Sequence, residues 1–204
     1  MEAILAFGAA LIALRLAGML AARWRQRRQT QFAFWSAGLA TYALGAAAIA
    51  WGAAAGWNDG VFRAYYLFGG LLTAALLGAG SLAGIGVGAA VPIVLVYAGL
   101  ATGVALAVPL ESPLGGTSIP EAQQYLALFP ARILAILGNG AGSIALVYAV
   151  IRGFRRRPLG TALLLAGFVL AGVGTALAGL GAAETAAFVA VAACLLYAGS
   201  VART

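Results

Sequence analysis

Residues 38–52 read GLATYALGAAAIAWG and lie within an uncharged run that extends from residue 31 to residue 54. A helix needs about 20 apolar residues to cross the hydrocarbon layer of a bilayer, so this run is long enough to span a membrane. Its glycines, Gly38, Gly45 and Gly52, recur every seven residues and therefore share one helix face. Because small residues on one face let membrane helices approach closely, the stretch predicts a membrane helix that packs through its glycines.

The composition of the whole chain extends this prediction. Of the 204 residues, 64% are hydrophobic and 8% are charged, and the mean hydropathy is +1.02. About a quarter of the residues of a soluble domain are charged, so a soluble domain is excluded. Seven apolar windows are long enough to span a bilayer, and they cover approximately residues 3–22, 31–54, 62–81, 88–108, 131–151, 159–181 and 185–201. The third and fourth windows are separated only at a glycine cluster in residues 78–88, without which six spans remain.

The arginines predict the orientation of the spans. All twelve basic residues are Arg, and seven spans place nine of them on one side. Because positive residues favour the cytoplasmic side, we expect the N-terminus outside and the C-terminus inside. Basic loops beside membrane spans contact anionic lipids, so the net charge of +7 indicates a bilayer partner and no nucleic acid. The use of Ala and Arg without Lys is typical of GC-rich bacteria, so we expect a multi-pass protein of the bacterial cytoplasmic membrane.

An internal repeat predicts how the spans are arranged. At an offset of 129 residues, spans one to three align without a gap with spans five to seven. The identical pairs include Arg23 with Arg152, Gly38 with Gly167, Gly45 with Gly174 and Gly52 with Gly181. Since one span separates the triplets, both have the same orientation, as in a parallel repeat.

We therefore predict an all-α polytopic membrane bundle of seven transmembrane helices in a 3+1+3 parallel pseudo-repeat. Its parts are a first half (1–82), a linker helix (83–110), an outer loop with a short interfacial helix (111–131) and a second half (132–204). In the outer loop, Ser118 and Glu121 match a capping box and predict a helix over roughly residues 119–129.

The predicted layout resembles that of SWEET-type sugar transporters, which are also built from three, one and three helices. The prolines that mark the helices of those transporters are absent from spans one, two, three, six and seven of this chain. Residues 34–84 also resemble uncharacterised seven-helix membrane proteins of GC-rich bacteria and, more distantly, the seven-helix sensor regions that precede bacterial signalling domains. These resemblances imply a topology and contain no catalytic motif.

Residues that usually carry chemistry are scarce. The chain has no His, no Lys, one Cys and five acidic residues. It therefore cannot form a retinal Schiff base, a zinc site of the usual kind or an intrachain disulfide. No His base, no pair of buried carboxylates and no phosphate-binding loop is predicted. We expect no enzymatic activity, no catalytic residue, no metal and no cofactor.

Polar residues near the middle of the spans are the candidates for ligand binding. Asn139 lies in residues 138–143, GNGAGS, where small side chains are expected to loosen the helix, and transporters place binding sites at loosened helices. Tyr42 and Tyr97 lie at a similar depth, and Arg15 is ionisable and inside span one. The alternatives are that Asn139 bonds a neighbouring helix to fix packing and that Arg15 extends its side chain to the inner surface.

The outer ends of the spans hold two candidate ion pairs. Arg132 and Glu184 form a candidate outer gate, and Arg63 with Asp59 forms a second pair. The alternative is that both are exposed salt bridges of little energetic weight.

Two hypotheses about function follow. The first is a carrier or binding protein for a small molecule, with a site at the midplane between the two halves that Asn139, Tyr97, Tyr42 and Arg15 contact. The second is a non-catalytic sensory or structural subunit that acts through a membrane partner or as a homo-oligomer, because the inner loops are too short to hold an output domain. A polar-lined cavity at the midplane would favour the first hypothesis, and a filled core would favour the second.

Overall fold

The computed structural model describes residues 2–153, and five of the helices in this range are long and apolar enough to cross a membrane. They are α1 (Glu2–Arg27), α2 (Thr30–Ala55), α3 (Asp59–Gly84), α4 (Ala90–Ala107) and α6 (Ile133–Gly153), and a single turn, α5 (Ala122–Tyr125), precedes the last of them. These five helices match the first five predicted spans. The described part of the chain is thus an all-helical protein of the membrane type. Predicted spans six and seven, with Glu184, lie outside the described residues.

Short turns with specific backbone geometry connect the first three helices. Arg28 adopts a left-handed conformation (φ 54°), and α2 begins two residues later at Thr30. At the other end of α2, Gly56 has a φ of 91°, which glycine adopts without strain. Asn58 then caps α3, because its side-chain oxygen accepts a hydrogen bond of 3.1 Å from the backbone N–H of Val61.

The third and fourth spans are separate helices, so the break predicted at the glycine cluster is confirmed. α3 ends at Gly84, and α4 begins at Ala90 after a turn in which Gly86 has a φ of 90°. A positive φ at this position is costly for any residue with a Cβ, and glycine therefore allows the chain to reverse here.

Contacts along the helices show their relative directions. Ser36 of α2 donates to the Ala17 carbonyl of α1, across a two-residue turn, so these helices are antiparallel. Also on α2, Trp35 bonds to Ser81 and Thr41 lies against Thr73, which makes α3 antiparallel to α2. α3 lies at the centre and contacts α2, α4 and α6.

α6 runs parallel to α3. Asn139 bonds to Gly70, and Gly142 lies against Gly78, so residue numbers rise together along the two helices. α1 is also parallel to α3, because each is antiparallel to α2. Arg152, near the end of α6, therefore lies at the same end of the bundle as the arginines in the last turns of α1 and in the turn after it, which are Arg23, Arg25, Arg27 and Arg28.

The three regularly spaced glycines of α2 face α3 and the loop before it, which confirms that α2 packs through them. A Cβ on Gly38 would lie 2.7 Å from Leu77 Cγ, and one on Gly45 would lie 2.9 Å from Gly69 Cα. Gly52 lies against the ring of Trp57. Real Cβ atoms do not approach other atoms this closely, so a side chain at any of these three positions would force its neighbour to shift.

The outer segment between α4 and α6 differs from the prediction. Only Ala122–Tyr125 is α-helical, and a second short stretch, Leu128–Arg132, is π-helical with a kink at Phe129. The first of these helices begins after Glu121, which makes no side-chain capping bond, so the capping box predicted over Ser118 and Glu121 is wrong. Leu126 is buried, and Tyr125 packs against the same hydrophobic core. The segment packs against the neighbouring ends of the helices because burying these apolar side chains in the protein is more favourable than a longer interfacial helix that would expose them to headgroups.

Candidate functional site

The central helix α3 departs from α-helical geometry in the middle of the membrane span. Residues Tyr65–Leu72 form a wider, π-helical stretch between two α-helical parts, Asp59–Ala64 and Thr73–Gly84. The rings of Tyr65 and Tyr66 pack across Gly69 and Gly70, four residues further along. π-Helical insertions are rare and occur frequently at functional sites. Within a membrane, irregular backbone is tolerated only where protein or a cavity surrounds it, so its carbonyl groups need partners.

Side chains from two neighbouring helices supply those partners. The Asn139 Nδ2 group of α6 donates a hydrogen bond of 2.8 Å to the Gly70 carbonyl oxygen. The Tyr97 hydroxyl of α4 lies 3.1 Å from the carbonyl oxygens of both Leu71 and Leu134, so its single hydrogen is shared between α3 and α6. Asn139 and Tyr97 therefore contact successive carbonyl groups of the π-helical stretch. Both residues are partly buried near the middle of their spans.

Two threonines complete the polar contacts of this region. The Thr73 hydroxyl donates to the Phe68 carbonyl oxygen at 2.7 Å, five residues earlier in α3. The hydroxyl of Thr41 on α2 lies 3.3 Å from that of Thr73 and also bonds to the Gly38 carbonyl at 2.8 Å. We call Thr41, Thr73, Tyr97 and Asn139 the polar cluster. Its members lie on four different helices, α2, α3, α4 and α6, and they come together around α3.

The helix that carries Asn139 is not loosened, so the expectation for residues 138–143 is wrong. α6 is continuous from Ile133 to Gly153. Its glycines serve close packing: Gly138 lies against the Tyr97 hydroxyl, and a Cβ on Gly142 would lie 2.8 Å from the Ala75 nitrogen. Packing against α3 and α4 stabilises the helix in spite of the low helix propensity of glycine. The helix with an irregular backbone is α3, which packs against α6, the helix in which the irregularity was predicted.

The other two predicted ligand residues lie elsewhere. Arg15 is exposed on α1 beside the exposed Leu14. Tyr42 is partly buried and packs with Ala9, Ala10 and Ala46 between α1 and α2. Of the four residues, the structure brings together only Asn139 and Tyr97.

The two predicted ion pairs at the outer end have different outcomes. Arg63 does not pair with Asp59; its guanidinium donates to the carbonyl oxygens of Ala105 at 2.7 Å and Leu106 at 3.3 Å. These carbonyls lie at the C-terminus of α4, where unpaired carbonyls and the helix dipole attract a cation. Arg132 is partly buried and directly precedes α6, and Glu184 lies outside the described residues.

A shallow groove of about 310 Å³ lies between α2 and α3, and no member of the polar cluster lines it. Its lining is apolar and consists of Leu44, Ala48, Trp51, Gly60, Val61, Ala64 and Phe68. Around the polar cluster, by contrast, helices are in contact: a Cβ on Gly78 would lie 2.6 Å from Gly142 Cα. The part of the core that the structure describes is therefore closely packed beside Asn139.

Sequence reasoning omitted Thr41, Tyr66 and the Gly69–Gly70 pair. The signal for Tyr66 and the two glycines was the sequence YYLFGG at residues 65–70, in which each tyrosine precedes a glycine by four residues and can cover it on one helix face. The sequence contains no comparable signal for Thr41.

No group of three or more His, Cys, Asp or Glu that could hold a metal ion occurs in residues 2–153. Comparisons with protein-family models, with curated proteins and with solved structures give no match to this chain.

Proposed function

We propose that this chain is an integral membrane carrier or binding protein for a small molecule, with its site beside the π-helical stretch of α3. One observation carries the proposal: Asn139 and Tyr97, from two different helices, both donate to the carbonyl groups of the only π-helical stretch in the middle of a described span. Such carbonyl bonds are weak in membranes, roughly 0.6–2 kcal/mol each. A ligand that offers donors or acceptors of its own can therefore exchange with them.

The proposed setting is a seven-helix bundle with a parallel 3+1+3 repeat in a bacterial cytoplasmic membrane, its N-terminus outside. In this arrangement α4 is the linker helix, and α3 belongs to the first half while α6 belongs to the second. The polar cluster then lies between the halves. The parallel directions of α3 and α6 and the common end of the described arginines support this arrangement.

The second candidate is a non-catalytic sensory or structural subunit that acts through a partner protein. The close packing of Gly78 against Gly142 favours it, because a filled core offers a small molecule no space in the described part of the bundle. In this case the polar cluster only fixes helix packing.

Ligand-dependent thermal stabilisation of the purified protein separates the two candidates. A panel of sugars, amino acids, carboxylates and quaternary amines is tested on the wild-type protein, on Asn139→Leu and on Thr102→Val. Thr102 is a matched control, since it is exposed on α4 and its hydroxyl donates to the Ala98 carbonyl of its own helix. The carrier function predicts a compound whose stabilising effect is lost in Asn139→Leu and kept in Thr102→Val. If no compound stabilises the wild-type protein, or if Asn139→Leu responds fully, the structural candidate is favoured.

A further inference from the structure

The groove between α2 and α3 is lined by small residues and bordered by large, exposed ones. Ala48, Gly60 and Ala64 leave the space open, and Leu44 and Trp51 border it with 49% and 63% of their surface exposed. Both helices are long and apolar enough to cross a membrane, so an apolar groove between them opens to hydrocarbon. Because an empty groove loses the dispersion contacts of its lining atoms, we expect an apolar molecule to fill it.

The groove covers one half of the membrane span. Its residues run from 44 to 51 in α2 and from 60 to 68 in α3, which corresponds to about 10–12 Å at the rise of an α-helix. Near the middle of the span the two helices touch, because a Cβ on Gly45 would lie 2.9 Å from Gly69 Cα. One leaflet of the hydrocarbon layer is about 15 Å thick. The groove therefore has the length of one leaflet, and it lies in the half of the span opposite the arginine-rich end.

The width of the groove restricts what can occupy it. A volume of about 310 Å³ over a length of about 12 Å gives a mean cross-section of about 26 Å². An α-helix with its side chains is about 10–12 Å wide, which corresponds to roughly 80–110 Å². A helix from a second copy or from another membrane protein is therefore too wide to lie in the groove. A single linear hydrocarbon chain has the shape that the groove requires.

We propose that this groove binds one acyl chain of a phospholipid from the leaflet opposite the arginine-rich end. Leu44 and Trp51 flank the chain on the α2 side, and Val61 and Phe68 contact it on the α3 side. The described lining contains no charged or hydroxyl group, so the chain is recognised by its shape and the headgroup contributes little. The lipid site is separate from the polar cluster, and it does not depend on the proposed carrier function.

Recognition by shape predicts that linear chains bind better than branched chains. A methyl branch widens a hydrocarbon chain, and closely packed apolar sites tolerate added methyl groups poorly. Lipids that contact only the outer surface of the bundle should not show this preference, because that surface is open to the bilayer.

The test measures how many phospholipids the purified full chain retains. The protein is delipidated in a bile-salt detergent, whose fused rings are too wide for the groove, and native mass spectrometry follows the binding of added lipid. Dipalmitoyl-phosphatidylcholine is compared with diphytanoyl-phosphatidylcholine, which has the same headgroup and chain length but carries methyl branches. Ala64→Leu fills the groove, and Ala47→Leu is the matched control, since Ala47 is exposed on α2 and does not line the groove.

We expect one dipalmitoyl lipid per chain, with a dissociation constant at least tenfold lower than that of the branched lipid. Ala64→Leu should weaken the binding of the linear lipid at least tenfold, and Ala47→Leu should leave it unchanged. Dipalmitoyl-phosphatidylglycerol should bind about as well as the phosphatidylcholine, because the chain decides the affinity.

A second measurement places the chain without a groove-filling variant. After free lipid is removed by gel filtration, a retained lipid with brominated chains should quench tryptophan fluorescence in the wild-type protein. The quenched component should be absent from Trp51→Phe, since Trp51 borders the groove. This measurement remains decisive if Ala64→Leu does not fold.

Three results would overturn the inference: equal retention of linear and branched lipids, undiminished retention in folded Ala64→Leu, or quenching that persists in Trp51→Phe. The first would show only ordinary contact between lipids and the bundle surface. If neither lipid is retained, protein and not lipid covers the groove. A dimer that Ala64→Leu dissociates would identify a second copy of the chain as the occupant.

Discussion

Asn139 on α6 donates a hydrogen bond of 2.8 Å to the backbone carbonyl of Gly70 on α3, 69 residues earlier in the chain. The carbonyl belongs to the π-helical stretch of α3, and the donor belongs to a regular helix. The side chain of one helix therefore compensates for the irregular backbone of another. In hydrocarbon this compensation matters because water is not available to either group.

The first prediction concerns this bond. Asn139→Leu should lower the free energy of unfolding by about 1–2 kcal/mol, because it leaves the Gly70 carbonyl without a donor in an apolar setting. Thr102→Val should change it by less than about 0.5 kcal/mol, as expected for an exposed position. Reversible unfolding in SDS measures both variants. Equal stability of Asn139→Leu and Thr102→Val would show that the bond contributes nothing.

The second prediction concerns the contact between Gly138 and Tyr97. Gly138→Ala places a methyl group against the Tyr97 hydroxyl and should cost about 1–3 kcal/mol, the usual range for overpacking. Tyr97→Phe removes that hydroxyl, so the double variant should be more stable than the sum of the single effects indicates.

A glycine in the same helix provides the control for this cycle. Nothing lies within 4 Å of a Cβ on Gly140, so Gly140→Ala should be neutral or stabilising by up to about 1 kcal/mol through helix propensity. Additive effects of Gly138→Ala and Tyr97→Phe would contradict the contact.

The third prediction separates the two roles considered for Arg63. Because its guanidinium bonds to carbonyls at the end of α4, Arg63→Gln should destabilise the protein by about 1–2 kcal/mol. Asp59→Asn should act independently, so the double variant should show additive losses. A coupling energy above about 0.5 kcal/mol would instead support an Arg63–Asp59 ion pair.

The fourth prediction tests the proposed orientation by cysteine labelling. The single cysteine of the chain, Cys194, is first replaced in the variant Cys194→Ser, so that only the introduced cysteine can react. Ser112 lies in the outer segment and Val87 lies in the turn between α3 and α4, and both are exposed. In intact cells, a membrane-impermeant maleimide should label Ser112→Cys at once and Val87→Cys only after permeabilisation. The reverse pattern would place the arginine-rich end outside and reject the positive-inside assignment.

Much of the described fold was accessible from sequence. Apolar length alone gives the five described spans, because hydrocarbon requires about 20 residues in each. The glycine cluster gives the break before Ala90, since the positive φ of Gly86 suits only glycine. The seven-residue spacing of Gly38, Gly45 and Gly52 gives the face of α2 that meets its neighbour. The repeat and the sixth and seventh spans stay predictions, because residues 154–204 lie outside the described part.

The candidate site was accessible only in part. Asn139 and Tyr97 were predicted from their depth within the spans, and the structure places both at the same stretch of α3. Tyr42 and Arg15 were predicted on similar grounds, but they lie elsewhere. Depth is a one-dimensional property, whereas a site depends on the helix faces that meet. The sequence also placed the irregular backbone in α6, because glycine content measures intrinsic propensity and does not reveal which glycines are held by packing.

The amino-acid sequence by itself therefore determined where the five described helices that are long enough to cross a membrane lie, and which of the described arginines share an end, because these properties depend on hydrophobic length and charge along one chain. The tertiary structure alone decided that α3 carries the π-helical stretch, that Asn139 and Tyr97 bond to it, and that Arg63 bonds to the carbonyl groups at the end of α4. The physical reason is that a polar group in hydrocarbon must find its partner within the protein, and the available partners are fixed only when the helices have packed.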